Sequence, residues 1–252
     1  PFLFSHDSKL YIFYEVKTDF DVGEIWAQSM NADGNWYNHG CVLKESFHLS
    51  YPQVFTYNSS IYMVPESAAS GNVLLYRSKL FPIKWERAKV LVDQPLLDPS
   101  ILARPEGLFL FGTTRTDDLK LFFSPALDEE FIDIGKIISN CKSTSRNAGR
   151  PLDICNKLYR VAQDCERMYG EKIQVLEIQQ LGLNDYSERV IMTDMFVNRS
   201  RWASEGYHHV SMVRLGDHVF VAVDGFTWDS WVNKASLIGL KLIGLLKKYV
   251  GA

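Results

Sequence analysis

The chain has 252 residues, 46% hydrophobic and 23% charged, the balance of a globular protein able to bury a large core. Its net charge of −3 and the lack of a Lys/Arg run ahead of the C-terminus exclude the electrostatic footprint of a nucleic-acid binder. Cys41, Cys141, Cys155 and Cys165 form no C-x-x-C pair, which excludes a zinc knuckle and predicts buried free thiols in a reducing compartment.

In chain order, the first element is a hairpin, "PFLFSHDSKLYIFYEV", starting at Pro1. The same pattern returns as "PQVFTYNSSIYMVPES" from Pro52, "PSILARPEGLFLFGTT" from Pro99, "PLDICNKLYRVAQD" from Pro151 and "HVSMVRLGDHVFVAVDG" from His209. Each copy has a mixed apolar strand, a polar turn and a more hydrophobic strand. A third strand follows the first four hairpins: "EIWAQSM", "NVLLYRS", "LKLFFSP" and "KIQVLEI". After connectors holding Trp36, Trp85, Phe131 and Tyr186 comes a fourth: "GCVLKE", "AKVLVD", "GKIISN" and "ERVIMT". A four-strand unit repeating about every 50 residues is the signature of a propeller blade. Four full units and a partial fifth predict an all-β, five-bladed β-propeller of four-stranded antiparallel blades over residues 1–231. The competing reading is a β-sandwich with evenly spaced turns. Because Pro1 already lies inside a strand and no methionine precedes it, the chain reads as a fragment, and either its upstream residues complete the last blade or the segment around Thr227–Trp231 does so imperfectly. No signal peptide and no membrane span are visible, and the expected location is cytoplasmic, with membrane association through the tail.

That tail, "NKASLIGLKLIGLLKKYVGA", has helical periodicity. Leu237, Leu240, Ile243, Leu246 and Val250 gather on one side, with Lys241, Lys247 and Lys248 elsewhere. Residues 232–252 therefore predict a C-terminal amphipathic helix. It caps the propeller or a neighbouring domain, or makes weak membrane contact.

In a propeller the innermost strands line a central channel, so their first residues converge at one mouth. Here they are Ser50-Tyr51-Pro52, Asp98-Pro99, Arg146 to Pro151 and Tyr207-His208-His209. The ends of the second strands form the next ring, with Glu15, Glu66, Thr113 and Asp164. Convergent charges point to a polar ligand. Asp98, Glu66 and Asp164 are the candidate catalytic carboxylates, since a partly desolvated carboxylate suits acid/base work. For Glu66 the alternative is a carboxylate accepting backbone N–H bonds from the next blade. Arg146, Arg150, His208, His209, Tyr51 and Gln163 are the candidate substrate-binding residues. Their cations suit a phosphate or an acidic sugar. No metal is expected, because adjacent His208 and His209 point to opposite faces of a strand, and no cofactor is implied. Trp85 is expected to pack between blades.

"HLSYPQVF", "IYMVPES", "DPSI", "AGRP", "KLYRVAQDC", Tyr169-Gly170 and "GYHHV" together resemble the N-terminal domain of glucosamine inositolphosphorylceramide transferases, from Pro1 to about Asp224. The resemblance implies a five-bladed propeller related to arabinanase- and levansucrase-type glycoside hydrolases. Those relatives place carboxylates at the starts of inner strands. Asp98 matches the blade-three aspartate, but "SRNAGRP" offers no glutamate in blade four, and hydrolysis ordinarily takes two carboxylates. Glycosyl transfer in cell-surface glycan or glycolipid assembly is therefore expected, with a sugar or sugar nucleotide and a glycan or glycolipid acceptor. A carboxylate would serve as base and the Arg/His groups would hold a phosphate leaving group. A non-catalytic glycan-binding scaffold beside a fused or neighbouring catalytic domain, and a glycoside hydrolase, are the alternatives.

Overall fold

The structure, a computed structural model, describes residues 1–227 apart from 19, 21, 32 and 198–200. The tail expected over 232–252 lies outside the described residues. Among the described residues nineteen strands follow one another. Blade one holds β1 (Phe2–His6), β2 (Lys9–Lys17), β3 (Gly23–Met30) and β4 (Trp36–Leu43). Blade two holds β5 (Ser50–Tyr57), β6 (Ser60–Glu66), β7 (Val73–Leu80) and β8 (Lys84–Val92). Blade three holds β9 (Leu97–Arg104), β10 (Gly107–Thr113), β11 (Leu119–Ser124) and β12 (Ile132–Ser139). Blade four holds β13 (Arg146–Asn147), β14 (Leu152–Ile154), β15 (Lys157–Asp164), β16 (Lys172–Leu181) and β17 (Tyr186–Met192). The fifth sheet is a hairpin of β18 (Gly206–Leu215) and β19 (His218–Phe226).

Every sheet is antiparallel and runs from the channel outward in chain order. Tight two-residue turns make the inner hairpins. Asp7-Ser8, Asn58-Ser59 and Cys155-Asn156 all take positive φ, the turn whose twist matches that of the paired strands. The fold is an all-β propeller with four-stranded antiparallel blades. The fifth unit, expected to be partial, has two strands among the described residues. One expectation needs correction: the inner strand of blade four is split into β13 and β14. The split falls at Gly149-Arg150-Pro151. Gly149 has φ +154°, and a Cβ there would stand 2.1 Å from the Val210 carbonyl oxygen. The fifth sheet thus passes too close for a regular strand.

Alternation along the second strand of each blade divides its side chains between two interfaces. In β2, Tyr11 and Phe13 pack toward blade two, while Leu10, Ile12 and Tyr14 pack toward the fifth sheet. In β10, Leu108 and Leu110 face blade two, and Phe109 and Phe111 face blade four. Val161 of β15 joins Tyr207, Val210 and Val223 of the fifth sheet. Among the described residues, five apolar clusters therefore fill the seams between successive sheets and close the circle. A hydrogen bond from Leu3 N to Ser211 Oγ (3.0 Å) fastens the last sheet to the first. Trp85 packs against Phe13 and Phe81 between blades one and two.

Two further differences are local. Trp36, Trp85 and Tyr186 sit inside the outer strands, not in connectors. The cysteines are free, but Cys41, Cys141 and Cys155 are exposed and Cys165 is half-buried. Among the described residues, no helix is long and apolar enough to cross a membrane.

Candidate functional site

The inner strands present their first residues at one mouth by means of irregular backbone. Tyr51 and Asp98 both have φ 47°, although each precedes a proline, which favours extended backbone. The ladder slips at both places, between Ser50 and Gln53 on β5 and opposite Phe111 and Thr113 on β10. A third slip lies between Tyr207 and His209. Such bulges re-aim side chains, and a non-glycine residue held left-handed costs about 1–3 kcal/mol.

The aspartate so placed is the centre of a charged cluster. Asp98 is 4% exposed. Its Oδ2 accepts from Arg146 Nε at 2.9 Å and from Gln163 Nε2 at 3.1 Å. Its backbone N–H donates to Glu66 Oε2 at 3.0 Å, the inter-blade bond that was the structural alternative for Glu66. The bond does not make Glu66 an ordinary carboxylate. Burial, and then the Asp98 charge, push its pKa up to about 8. At neutral pH Glu66 is a carboxylic acid, a hydrogen-bond donor as well as an acceptor. Burial works against the Arg146 cation, but Asp98, Tyr169 and Glu66 together outweigh it and raise its pKa further. The guanidinium also lies 5.0 Å from the centre of the Tyr169 ring.

Across the mouth His208 Nε2 lies 3.2 Å from Asp224 Oδ2. The His208 ring stands 5.4 Å from that of Tyr169. Burial alone would raise the Asp224 pKa, yet the His208 hydrogen bond and charge, with other contributions that include the Gly225 N–H, bring it below the ordinary value. Glu15, 3.4 Å from His48 Nε2, has its pKa raised by burial. Glu15, Glu66, Thr113, Asp164 and Asp224 occupy equivalent places at the ends of β2, β6, β10, β15 and β19.

Of the residues expected from sequence, Asp98, Glu66, Arg146 and Gln163 come together, and His208 joins them through Tyr169. The others do different things. Asp164 takes Gln174 Nε2 on Oδ2 (3.1 Å) and the Glu166 N–H on Oδ1 (3.1 Å), so its carboxylate braces the connection that follows it. Arg150 Nη2 donates to Leu3 O at 2.6 Å and Met212 O at 3.3 Å. It ties blade four to blade one and the fifth sheet, and burial lowers its pKa. Tyr51 and His209 lie deeper. The Tyr51 hydroxyl bonds Ser100 Oγ at 3.0 Å, and its ring meets His209 and Phe2. Burial raises the Tyr51 pKa well above the usual value and drops that of His209 well below it. His209 is therefore neutral, and neither ring nitrogen has a partner among the described residues. The expected phosphate cradle of Arg146, Arg150, His208 and His209 is thus dispersed. One member is neutral and three hold partners within the protein.

Sequence reasoning missed Asp224 and gave Tyr169 no role. Asp224 stands in "VAVDG" where Glu15 stands in "FYEV" and Asp164 in "VAQD", so extending the repeat register to the fifth unit finds it. No repeat signal marks Tyr169, which lies on a connection peculiar to blade four. Among the described residues no three His, Cys, Asp or Glu gather to hold a metal ion.

With this geometry in view, the family model described as glucosamine inositolphosphorylceramide transferase 1, N-terminal, matches residues 1–226. A protein of that transferase name from Arabidopsis thaliana is 34% identical over 242 residues, covering 89% of this chain and 32% of its own. Its namesake from Oryza sativa subsp. japonica is 32% identical over 240 residues, covering 88% and 32%. The chain thus spans about a third of the length of these curated relatives. Among solved structures, the catalytic domain of a Coprinopsis cinerea GH62 α-L-arabinofuranosidase superposes with TM-score 0.68 at 11% identity, covering 94% of this chain and 86% of its own. The RS223 β-xylosidase gives TM-score 0.63 at 15% identity, covering 89% and 85%. At such identities the likeness concerns the fold alone.

Proposed function

The chain belongs to the family of glucosamine inositolphosphorylceramide transferase N-terminal domains, and on that premise we propose that it is a carbohydrate-active domain of glycolipid glycosyl transfer whose channel mouth receives a sugar. We further propose that the propeller is five-bladed, with its fifth blade completed by residues beyond the two described strands. The observation that carries the reading is the Glu66–Asp98 pair backed by Arg146 and Gln163. Two carboxyl groups pressed together, one protonated near neutrality, divide acid and base roles within one site. In a transfer from a sugar nucleotide, Asp98 accepts the proton of an acceptor hydroxyl as that oxygen bonds to the anomeric carbon, the bond from that carbon to the diphosphate oxygen breaks, and the nucleoside diphosphate leaves with the electron pair. Glu66 hydrogen-bonds the same sugar, and Asp98 gives its proton to water when the product leaves.

A second reading, sugar binding without chemistry beside a catalytic domain, is favoured by one observation. Arg146 and Arg150 are both engaged inside the protein, which leaves them poorly placed to hold a diphosphate leaving group.

One experiment separates the two. The chain is incubated with sugar nucleotides and inositol-containing glycolipid headgroups while nucleotide release and headgroup binding are both followed. Turnover lost in Asp98→Asn supports transfer. Saturable binding weakened by Asp98→Asn, without release from any pairing, supports the binding module. No binding and no turnover refutes both.

A further inference from the structure

Tyr169 is held at the mouth by its backbone. The connection 165–171 is fastened by Cys165 N to Lys142 O (2.9 Å) and Glu171 N to Asp164 O (3.0 Å), and by Glu166 N to Asp164 Oδ1 (3.1 Å). Gly170 follows with φ +64°, and a Cβ there would stand 2.3 Å from His208 Cβ. Only a glycine lets the chain pass against the fifth sheet here. The preceding side chain is therefore positioned before any ligand arrives. Tyr169 is 50% exposed, yet its ring covers the Arg146 guanidinium at 5.0 Å. A tyrosine over an arginine is a stable arrangement, but an open one: the residue faces solvent as well as the ion pair.

We propose that Tyr169 is a ligand-contacting residue, whose ring covers the Asp98–Arg146 ion pair and whose hydroxyl, with Glu66, hydrogen-bonds a neutral sugar hydroxyl. This rests on the sugar-binding reading of the mouth. The chemistry of the group selects the ligand. Half of the residue is exposed, but its hydroxyl end is enclosed, and that burial and then Asp98 raise the Tyr169 pKa, so it is a neutral phenol that both donates and accepts. Glu66 as an acid also donates and accepts, and the Asp98 carboxylate accepts. A sugar hydroxyl, itself donor and acceptor, matches all three. A phosphate offers only acceptors. It would be repelled by the Asp98 carboxylate, and the Arg146 cation beside it is already bonded to Asp98 Oδ2 at 2.9 Å and faced by the Tyr169 ring. The mouth is thus built for a neutral glycosyl or polyol face in preference to a phosphoryl group.

The test uses the full chain and its Tyr169→Phe, Tyr169→Ala and Glu66→Gln variants. Calorimetry measures binding of methyl glycosides and, separately, of inorganic pyrophosphate. Carbon-13 NMR of the carboxyl groups follows the Glu66 titration without any ligand. Tyr169→Phe keeps the cover and loses one hydrogen bond, so it should weaken glycoside binding about three- to tenfold and leave the Glu66 midpoint in place. Tyr169→Ala should weaken binding further and, by admitting water, bring that midpoint down toward the ordinary carboxylate range. Glycoside affinity unchanged in both Tyr169 variants but lost in Glu66→Gln overturns the role of Tyr169 and leaves the sugar site standing. No glycoside binding to the unsubstituted chain, or pyrophosphate binding in its place, overturns the sugar reading and the hydroxyl contact together. A Glu66 midpoint unmoved in Tyr169→Ala overturns the covering role whatever binds.

Discussion

Replacing Glu66 with glutamine should flatten the pH dependence of stability. The Glu66 carboxyl sits at about 8 in the folded protein against an ordinary value of 4.5. Between those values the native state holds a proton that the unfolded chain has released, so stability falls as pH rises. The gap of about 3.5 units sets an upper bound of about 5 kcal/mol lost between pH 4.5 and pH 8. Glutamine stays neutral throughout. Its amide oxygen can accept the Asp98 N–H that Glu66 Oε2 accepts at 3.0 Å, and its NH2 can donate to the Asp98 carboxylate as the protonated acid does. Urea unfolding of both proteins at intervals from pH 5 to pH 9 reads the difference directly. The two curves should diverge as pH rises, with Glu66→Gln the more stable at pH 9. Subtracting one from the other cancels the other titrating groups, His209 and Glu15 included. Parallel curves across the range would falsify the claim that Glu66 is a buried acid and remove the acid/base division at the mouth.

Three other outcomes follow from the same contacts. Arg150→Ala should lower the melting temperature by stripping the donor from Leu3 O and Met212 O, at about 1.5–3 kcal/mol for a charged hydrogen bond. Arg150→Lys should recover part of that, with sugar affinity of the folded fraction unchanged; weakened affinity at unchanged melting temperature would make Arg150 a ligand anchor instead. Arg160, fully buried, pairs with Glu188 through Nε at 2.8 Å and Nη2 at 2.5 Å. Glu188→Gln should therefore destabilise by about 3–5 kcal/mol in chemical unfolding, and a loss below 1 kcal/mol would contradict a desolvated pair. His209 has its folded pKa pushed well below 6.5 by burial. It should cost stability as pH falls below about 6.5, where the unfolded imidazole takes a proton and the folded one does not. His209→Phe should remove that acid limb from the unfolding profile, and an unchanged limb would assign it elsewhere.

How much of this could be seen in the sequence followed from which side chains meet water. Inner hairpins were legible because both their faces are buried and their turns carry Asp7-Ser8 and Asn58-Ser59. The outer strands were located, but not their starts. Trp36, Tyr37 and Asn38 are exposed on β4, so the apolar pattern begins several residues after the hydrogen bonding does. The break of β13 from β14 depends on how closely Val210 of another blade approaches Gly149, and no local pattern reports that. Within the site, the repeat register led correctly to Asp98, Glu66 and Arg146 as neighbours. It could place Arg150 and His209 near the channel but not assign their partners, because those are backbone carbonyls of β1 and β18 for one and aromatic rings for the other. Tyr169 depends on a connection braced by Asp164, and so lay outside any repeat.

The measurement that bears most directly on the sugar-binding mouth is the structure of a crystal soaked with an inositol-containing glycosyl headgroup. The sugar should lie at the channel mouth, with a hydroxyl within hydrogen-bond distance of Glu66 and Asp98 and beside the Tyr169 hydroxyl. A sugar bound only at the outer groove, about 510 Å³ in volume and lined by Arg104, Asn156, Lys157 and Gln179, with the mouth unchanged, would contradict it.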